Sequence, residues 1–94
     1  MGLDEMLKEQ IADMAKQTEV VRVILFGSRA RRQAYARRDI DLAVVGDADN
    51  RFYFLVRENL DSLLSIDIVD MENASQALLN EIERDGVILY EKVG

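Results

Sequence analysis

The stretch Ile24-Leu25-Phe26-Gly27-Ser28-Arg29-Ala30-Arg31, followed by Asp39-Ile40-Asp41-Leu42-Ala43-Val44-Val45, decides how this chain is read. Its first half ends an apolar, β-branched run over residues 20–26, which reads as a buried strand closing in a Gly-Ser turn. Ser28 then stands near the start of a short helix reaching about Gln33. The second half reads as a strand over residues 39–45 that opens with two carboxylates. Side chains two apart leave the same face of a strand, so Asp39 and Asp41 are expected to project together.

Periodicity supplies the elements on either side. Leu3, Met6, Leu7, Ile11, Met14 and Ala15 recur at three- and four-residue spacing, an amphipathic helix ahead of the first strand. Gly46-Asp47-Ala48-Asp49-Asn50 is a turn cluster, and Asn50 is expected to cap a helix over residues 51–63. The buried stripe of that helix is Phe52, Leu55, Val56, Leu60 and Leu63. Residues 66–71 read as a third strand, and residues 74–84 as a helix with Leu78, Leu79 and Ile82 inward. Asp85-Gly86 ends this helix through a glycine stop, and residues 87–90 form a last short strand. The alternation implies an α/β (α+β) fold, a small mixed sheet of about four strands flanked by helices. We expect a single domain over residues 1–94.

Composition narrows the chemistry. With 94 residues, 49% of them hydrophobic and 32% charged, the chain supports one core and a soluble surface. No apolar run approaches the roughly 20 residues of a membrane span, and Met1-Gly2-Leu3-Asp4-Glu5 lacks the features of a secretory signal. A cytoplasmic location is therefore expected. The absence of Cys and His excludes disulfides, thiolate zinc, cysteine nucleophiles and a Ser-His-Asp triad. A metal would need oxygen ligands, which favours Mg²⁺ or Mn²⁺.

The formal net charge of −6 argues against extended nucleic-acid binding. Yet Arg29, Arg31, Arg32, Arg37 and Arg38 cluster between the turn and the acid pair. A local basic patch in an acidic chain suits a compact anion, although a solvated basic loop has the same composition.

The turn and the acids fit together chemically. A strand followed by Gly27-Ser28 and a helix start offers free backbone N–H groups and a helix dipole to a phosphate, and Gly27 admits it without a Cβ. The same pair also serves as a plain turn, and it lacks the partner glycines of a Walker loop or a dinucleotide fingerprint. Asp39 and Asp41, in an otherwise apolar strand, must either protrude into solvent or meet a cation. Asp67, in Ser65-Ile66-Asp67-Ile68-Val69-Asp70, reads as a buried mid-strand carboxylate in need of a partner. Asp70 falls on the opposite face and ranks behind it.

If the two strands pair, three acids meet in a set suited to two-metal phosphoryl or nucleotidyl transfer. Asp39 and Asp41 would bridge the ions, while Asp67 would hold the ion carrying the nucleophile and accept its proton. Gly27 and Ser28 would position the triphosphate, with Arg29 and Arg31 as further phosphate contacts.

Together these residues resemble the Gly-Ser and Asp-x-Asp motifs of the DNA polymerase β-like nucleotidyltransferase superfamily. More narrowly, the chain is similar to the minimal nucleotidyltransferase (MNT) domain. The resemblance extends to Ile66-Asp67-Ile68-Val69-Asp70 and to Glu83-Arg84-Asp85-Gly86-Val87-Ile88-Leu89-Tyr90. It implies the polymerase β-like fold, two Mg²⁺ ions on Asp39, Asp41 and Asp67, and ATP or another nucleoside triphosphate at Gly27, Ser28, Arg29 and Arg31.

The resemblance also implies a partner, a HEPN-domain toxin. The MNT protein would be its antitoxin, transferring AMP from ATP to a tyrosine hydroxyl and so silencing the toxin's RNase activity. Arg32 stands where the family often has glycine, and Arg38 where it often has serine. A core this small leaves little to enclose a base or an acceptor, so a partner or a second copy is expected to complete the site, as a hetero-oligomer or a homodimer. Two other readings use the same residues: an antitoxin that neutralises by binding alone, and a nucleotidyltransferase acting on a small molecule.

Overall fold

The computed structural model describes residues 5–26, 39–60 and 65–93; the side chains of Asp39 and Ser65 fall outside the description. The apolar run in the first strand, β1 (Arg22–Phe26), lies inside the sheet. On one side it pairs antiparallel with β2 (Asp39–Val45), Arg22 opposite Val45 and Phe26 opposite Asp41. Following the chain, helix α2 (Arg51–Asn59) leads to β3 (Ser65–Asp70), which joins β2 in parallel. A parallel join needs a crossover, and α2 supplies it. The last strand, β4 (Val87–Glu91), pairs antiparallel with the free side of β1. The order is β3-β2-β1-β4, the small mixed sheet expected from the sequence.

Strand alternation divides the core between the two faces. Val23, Leu25, Ile40, Leu42, Val44 and Ile66 pack against α2 and the first helix, α1 (Glu5–Lys16), through Ile11, Met14, Phe52 and Val56. Ile24, Phe26 and Ala43 face the other way, towards Ile82 and Leu78 of α3 (Gln76–Asp85). With both faces of β1 covered, the apolar run over its residues 23–26 follows. Among the described residues no helix is long and apolar enough to cross a membrane.

Local chemistry modifies several expectations. Met6 is 71% exposed and does not belong to the stripe of α1. It lies five residues from Ile11, about 140° around a helix of 3.6 residues per turn. Asn50 precedes α2 but does not cap it with its side chain, because its backbone is left-handed (φ 60°). A capping side chain normally springs from an extended backbone. The carboxylate of Asp47 takes that role, accepting from the Phe52 N–H at 2.9 Å and the Tyr53 N–H at 3.1 Å. α2 ends at Asn59, short of the expected Leu63, because Leu60 turns to an extended backbone (φ −92°, ψ 155°) while its N–H still donates to the Val56 carbonyl; Leu63 itself lies outside the described residues.

Gly86 does end α3, but in an extended conformation (φ −72°, ψ 148°) rather than a left-handed one. Packing is what demands glycine here. A Cβ would collide with the Ile82 carbonyl oxygen and stand 2.6 Å from Ile24 Cγ2.

Candidate active site

Asp41 stands in the row Phe26–Asp41–Asp67 across β1, β2 and β3. Residues two apart share a face, so Asp41 lies on the side of Ala43, and Asp67 on the side of Val69. Both belong to the face that α3 covers. The cover of α3 reaches Ile24, Phe26, Ala43 and Val69, whereas Asp41 is half-buried and Asp67 exposed. The acids occupy the end of the sheet where β2 and β3 begin and β1 finishes.

Two sequence-predicted ligands, Asp41 and Asp67, are thus neighbours on adjacent strands, which run about 4.8 Å apart. Asp67 is not the buried carboxylate expected from its apolar neighbours. It lies on an edge strand, on the face opposite buried Ile66, and reaches solvent. Asp39 opens β2 two residues before Asp41, in register with Ser65, and its side chain lies outside the described residues. Among the described residues no group of three or more His, Cys, Asp or Glu comes together around a metal position. Gly27, Ser28, Arg29 and Arg31 lie outside the described residues, as do Arg32, Arg37, Arg38 and the helix expected from Ser28. In the chain, Gly27 follows Phe26, the register partner of Asp41.

Asp70 serves the local backbone. Its carboxylate accepts from the Glu72 N–H at 3.0 Å and from Asn73 Nδ2 at 3.1 Å, holding the tight turn Met71–Asn73 that leads towards α3. Asp47, passed over in the sequence as part of a turn, is the buried carboxylate that seats α2. Its signal was its position ahead of the first amides of the helix.

The family model described as polymerase beta, nucleotidyltransferase matches residues 9–93. The chain belongs to this nucleotidyltransferase family. Protein adenylyltransferase MntA of Aphanizomenon flos-aquae (strain 2012/KM1/D3) is 29% identical over 86 residues, covering 77% of this chain and 57% of the relative. The chain therefore spans little more than half the length of that family member. A crystal structure of a toxin–antitoxin pair with AMP-PNP superposes with a TM-score of 0.74 at 22% identity, over 90% of this chain and 73% of the other. A tri-AMPylated HEPN toxin of Shewanella oneidensis in complex with MNT antitoxin gives a TM-score of 0.68 at 22% identity, over 98% and 74%. These likenesses establish the shared nucleotidyltransferase fold.

Proposed function

We propose that this chain is a minimal nucleotidyltransferase that transfers AMP from ATP to a hydroxyl of a HEPN-domain toxin, a tyrosine in our reading, and so acts as its antitoxin. The observation that carries the proposal is the row Phe26–Asp41–Asp67. It sets two carboxylates side by side where β1 runs into Gly27-Ser28. The named adenylyltransferase relative and the toxin–antitoxin assemblies of the same fold support the choice of acceptor.

Adjacent carboxylates repel unless a cation lies between them, and the sequence offers no His or Cys as ligand. This donor set fits hard divalent ions, with Asp39, Asp41 and Asp67 holding Mg²⁺ or Mn²⁺. Bound there, such ions would neutralise triphosphate charge and acidify the attacking hydroxyl.

Gly27 and Ser28 bind the triphosphate through backbone N–H groups and a hydroxyl, and Arg29 and Arg31 add positive charge. The acceptor oxygen bonds to the α-phosphorus while the bond to the bridging oxygen breaks and pyrophosphate leaves in line. A carboxylate oxygen of Asp67 accepts the hydroxyl proton, a role its solvent exposure permits. Incubating the chain with labelled ATP, Mg²⁺ and a HEPN-domain partner, then locating the adduct by mass spectrometry, tests the proposal. We expect one AMP per modified hydroxyl; full labelling by an Asp41→Asn, Asp67→Asn double variant would refute it.

A further inference from the structure

We infer that Asp70 is a positioning residue for the transfer: by closing the turn that ends β3, its carboxylate keeps Asp67 in the row of Asp41. The inference rests on the nucleotidyl-transfer reading and adds a residue that acts on the reaction only through Asp67.

The row is what the carboxylate pair depends on. Among the described residues β3 is an edge strand, joined to the sheet through β2 alone. Alternation puts Ile66 and Ile68 on the face of α1 and α2, and Asp67 with Val69 on the other. A displacement of β3 by two residues along β2 preserves those faces, so burial of its own side chains leaves the row open.

What separates the rows lies at the exit of β3. Asp70 ends the strand, in register with Val44. Its carboxylate accepts from the Glu72 N–H at 3.0 Å and from Asn73 Nδ2 at 3.1 Å, bending the chain into the turn Met71–Asn73. The turn plants Met71 against Ile24, Phe26, Ala43 and Ile82, where Val69 also packs. Ala74 and Ser75 then lead straight into α3, with Ser75 Oγ accepting from the Leu78 N–H at 3.2 Å. Leu78 and Ile82 of α3 belong to the same cluster. The exit of β3 is thereby tied to the helix that covers the face of Asp41 and Asp67.

Each displaced row conflicts with this tie. Bringing Ser65 opposite Asp41 carries Met71 about 7 Å along the sheet, away from its cluster. Bringing Val69 opposite Asp41 lays Met71–Asn73 alongside Ala43–Val45, so the turn and both bonds to Asp70 must open. Without the Asp70 acceptor the native row loses this advantage. Two hydrogen bonds of ordinary net strength amount to about tenfold in an equilibrium, and a misplacement of about 1 Å at a reacting group costs as much or more.

Asp70→Ala and Asp70→Asn, measured on the full chain with ATP, Mg²⁺ and the HEPN-domain partner, test this. Asp70→Ala should slow AMP transfer by about tenfold and weaken Mn²⁺ binding to the chain alone, read by calorimetry, by about the same factor. Asp70→Asn keeps an acceptor for the Glu72 N–H and should bring both to within about threefold of the native chain. In the Asp67→Asn background, Asp70→Ala should slow transfer no further, because the two residues act as one unit. Native transfer and Mn²⁺ affinity in Asp70→Ala overturn the inference and leave the functional reading standing. So does a tenfold loss that persists beside Asp67→Asn, which marks a general loss of structure. An Asp70→Asn chain as slow as Asp70→Ala overturns it too, since the charge itself would then matter. Neither transfer nor Mn²⁺ binding by the native chain overturns both.

Discussion

Removing the Asp47 carboxylate gives the sharpest test of how this chain organises itself. Asp47 is 8% exposed and accepts from two successive amides, Phe52 N–H at 2.9 Å and Tyr53 N–H at 3.1 Å. In Asp47→Ala the Phe52 amide loses its partner in a buried setting, while the Tyr53 amide is better placed to find water. Loss of a helix cap costs about 1 kcal/mol, and an abandoned buried donor about 1–3 kcal/mol. Because the two figures overlap, we expect a loss of about 2–3 kcal/mol, short of the roughly 5–14 kcal/mol total for a chain of this length. Asp47→Asn keeps one acceptor oxygen and should lose about 1 kcal/mol. Asn50→Gly should be neutral or slightly stabilising, since φ 60° suits glycine. Urea titration followed by far-ultraviolet circular dichroism measures all three, with midpoints shifting at constant slope. A loss below about 0.5 kcal/mol in Asp47→Ala, or an equal loss in Asn50→Gly, would return the capping role to Asn50 and refute the reasoning.

Asp41→Asn and Asp67→Asn should each slow AMP transfer by about 10²-fold or more while the melting temperature moves only a few degrees; transfer rates and melting curves on the same preparations separate the two effects. Gly86→Ala should lose about 1–3 kcal/mol in urea titration despite an ordinary φ of −72°, because the new methyl meets the Ile82 carbonyl and Ile24 Cγ2. Glu91→Gln removes the ion pair that Arg22 makes at 2.7 Å between half-exposed side chains. Its cost should be about 0.5 kcal/mol at low salt and vanish by 1 M salt, read from the urea midpoint at each ionic strength.

Local patterns carried most of the fold into view. The bounds of β2 agree with the expectation because the apolar run is delimited by its two acids and by Gly46. β1 begins two residues later than expected, yet Val21 N–H still donates to the Val45 carbonyl at 2.7 Å, so pairing outlasts the regular strand. The misread details are those in which backbone conformation or a distant neighbour decides. Asn50 is the right residue type for a cap but has the wrong φ. Gly86 is a helix stop whose want of a side chain is set by the Ile82 carbonyl one turn back and, on the neighbouring strand, by Ile24. Neither the φ of Asn50 nor the approach of Ile24 to Gly86 is present in a window of neighbouring residues.

The acids divide along the same line. That Asp67 faces away from Ile66 and Ile68 follows from alternation, because slipping β3 by one residue would bury the carboxylate and expose both isoleucines. Alternation therefore fixes the face but not the row. A slip of two residues would keep the same face and bury the same kind of side chain, yet place Ser65 or Val69 opposite Asp41. Fold stability discriminates weakly among these rows, whereas the proposed chemistry tolerates one. The row is set by the crossover between β2 and β3. In it, Gly46 turns the chain at φ +93°, Asp47 fixes the first amides of α2, and Phe52 and Val56 seat the helix on the sheet. A buried carboxylate remote from the reaction thus helps to hold the strand that brings Asp67 beside Asp41.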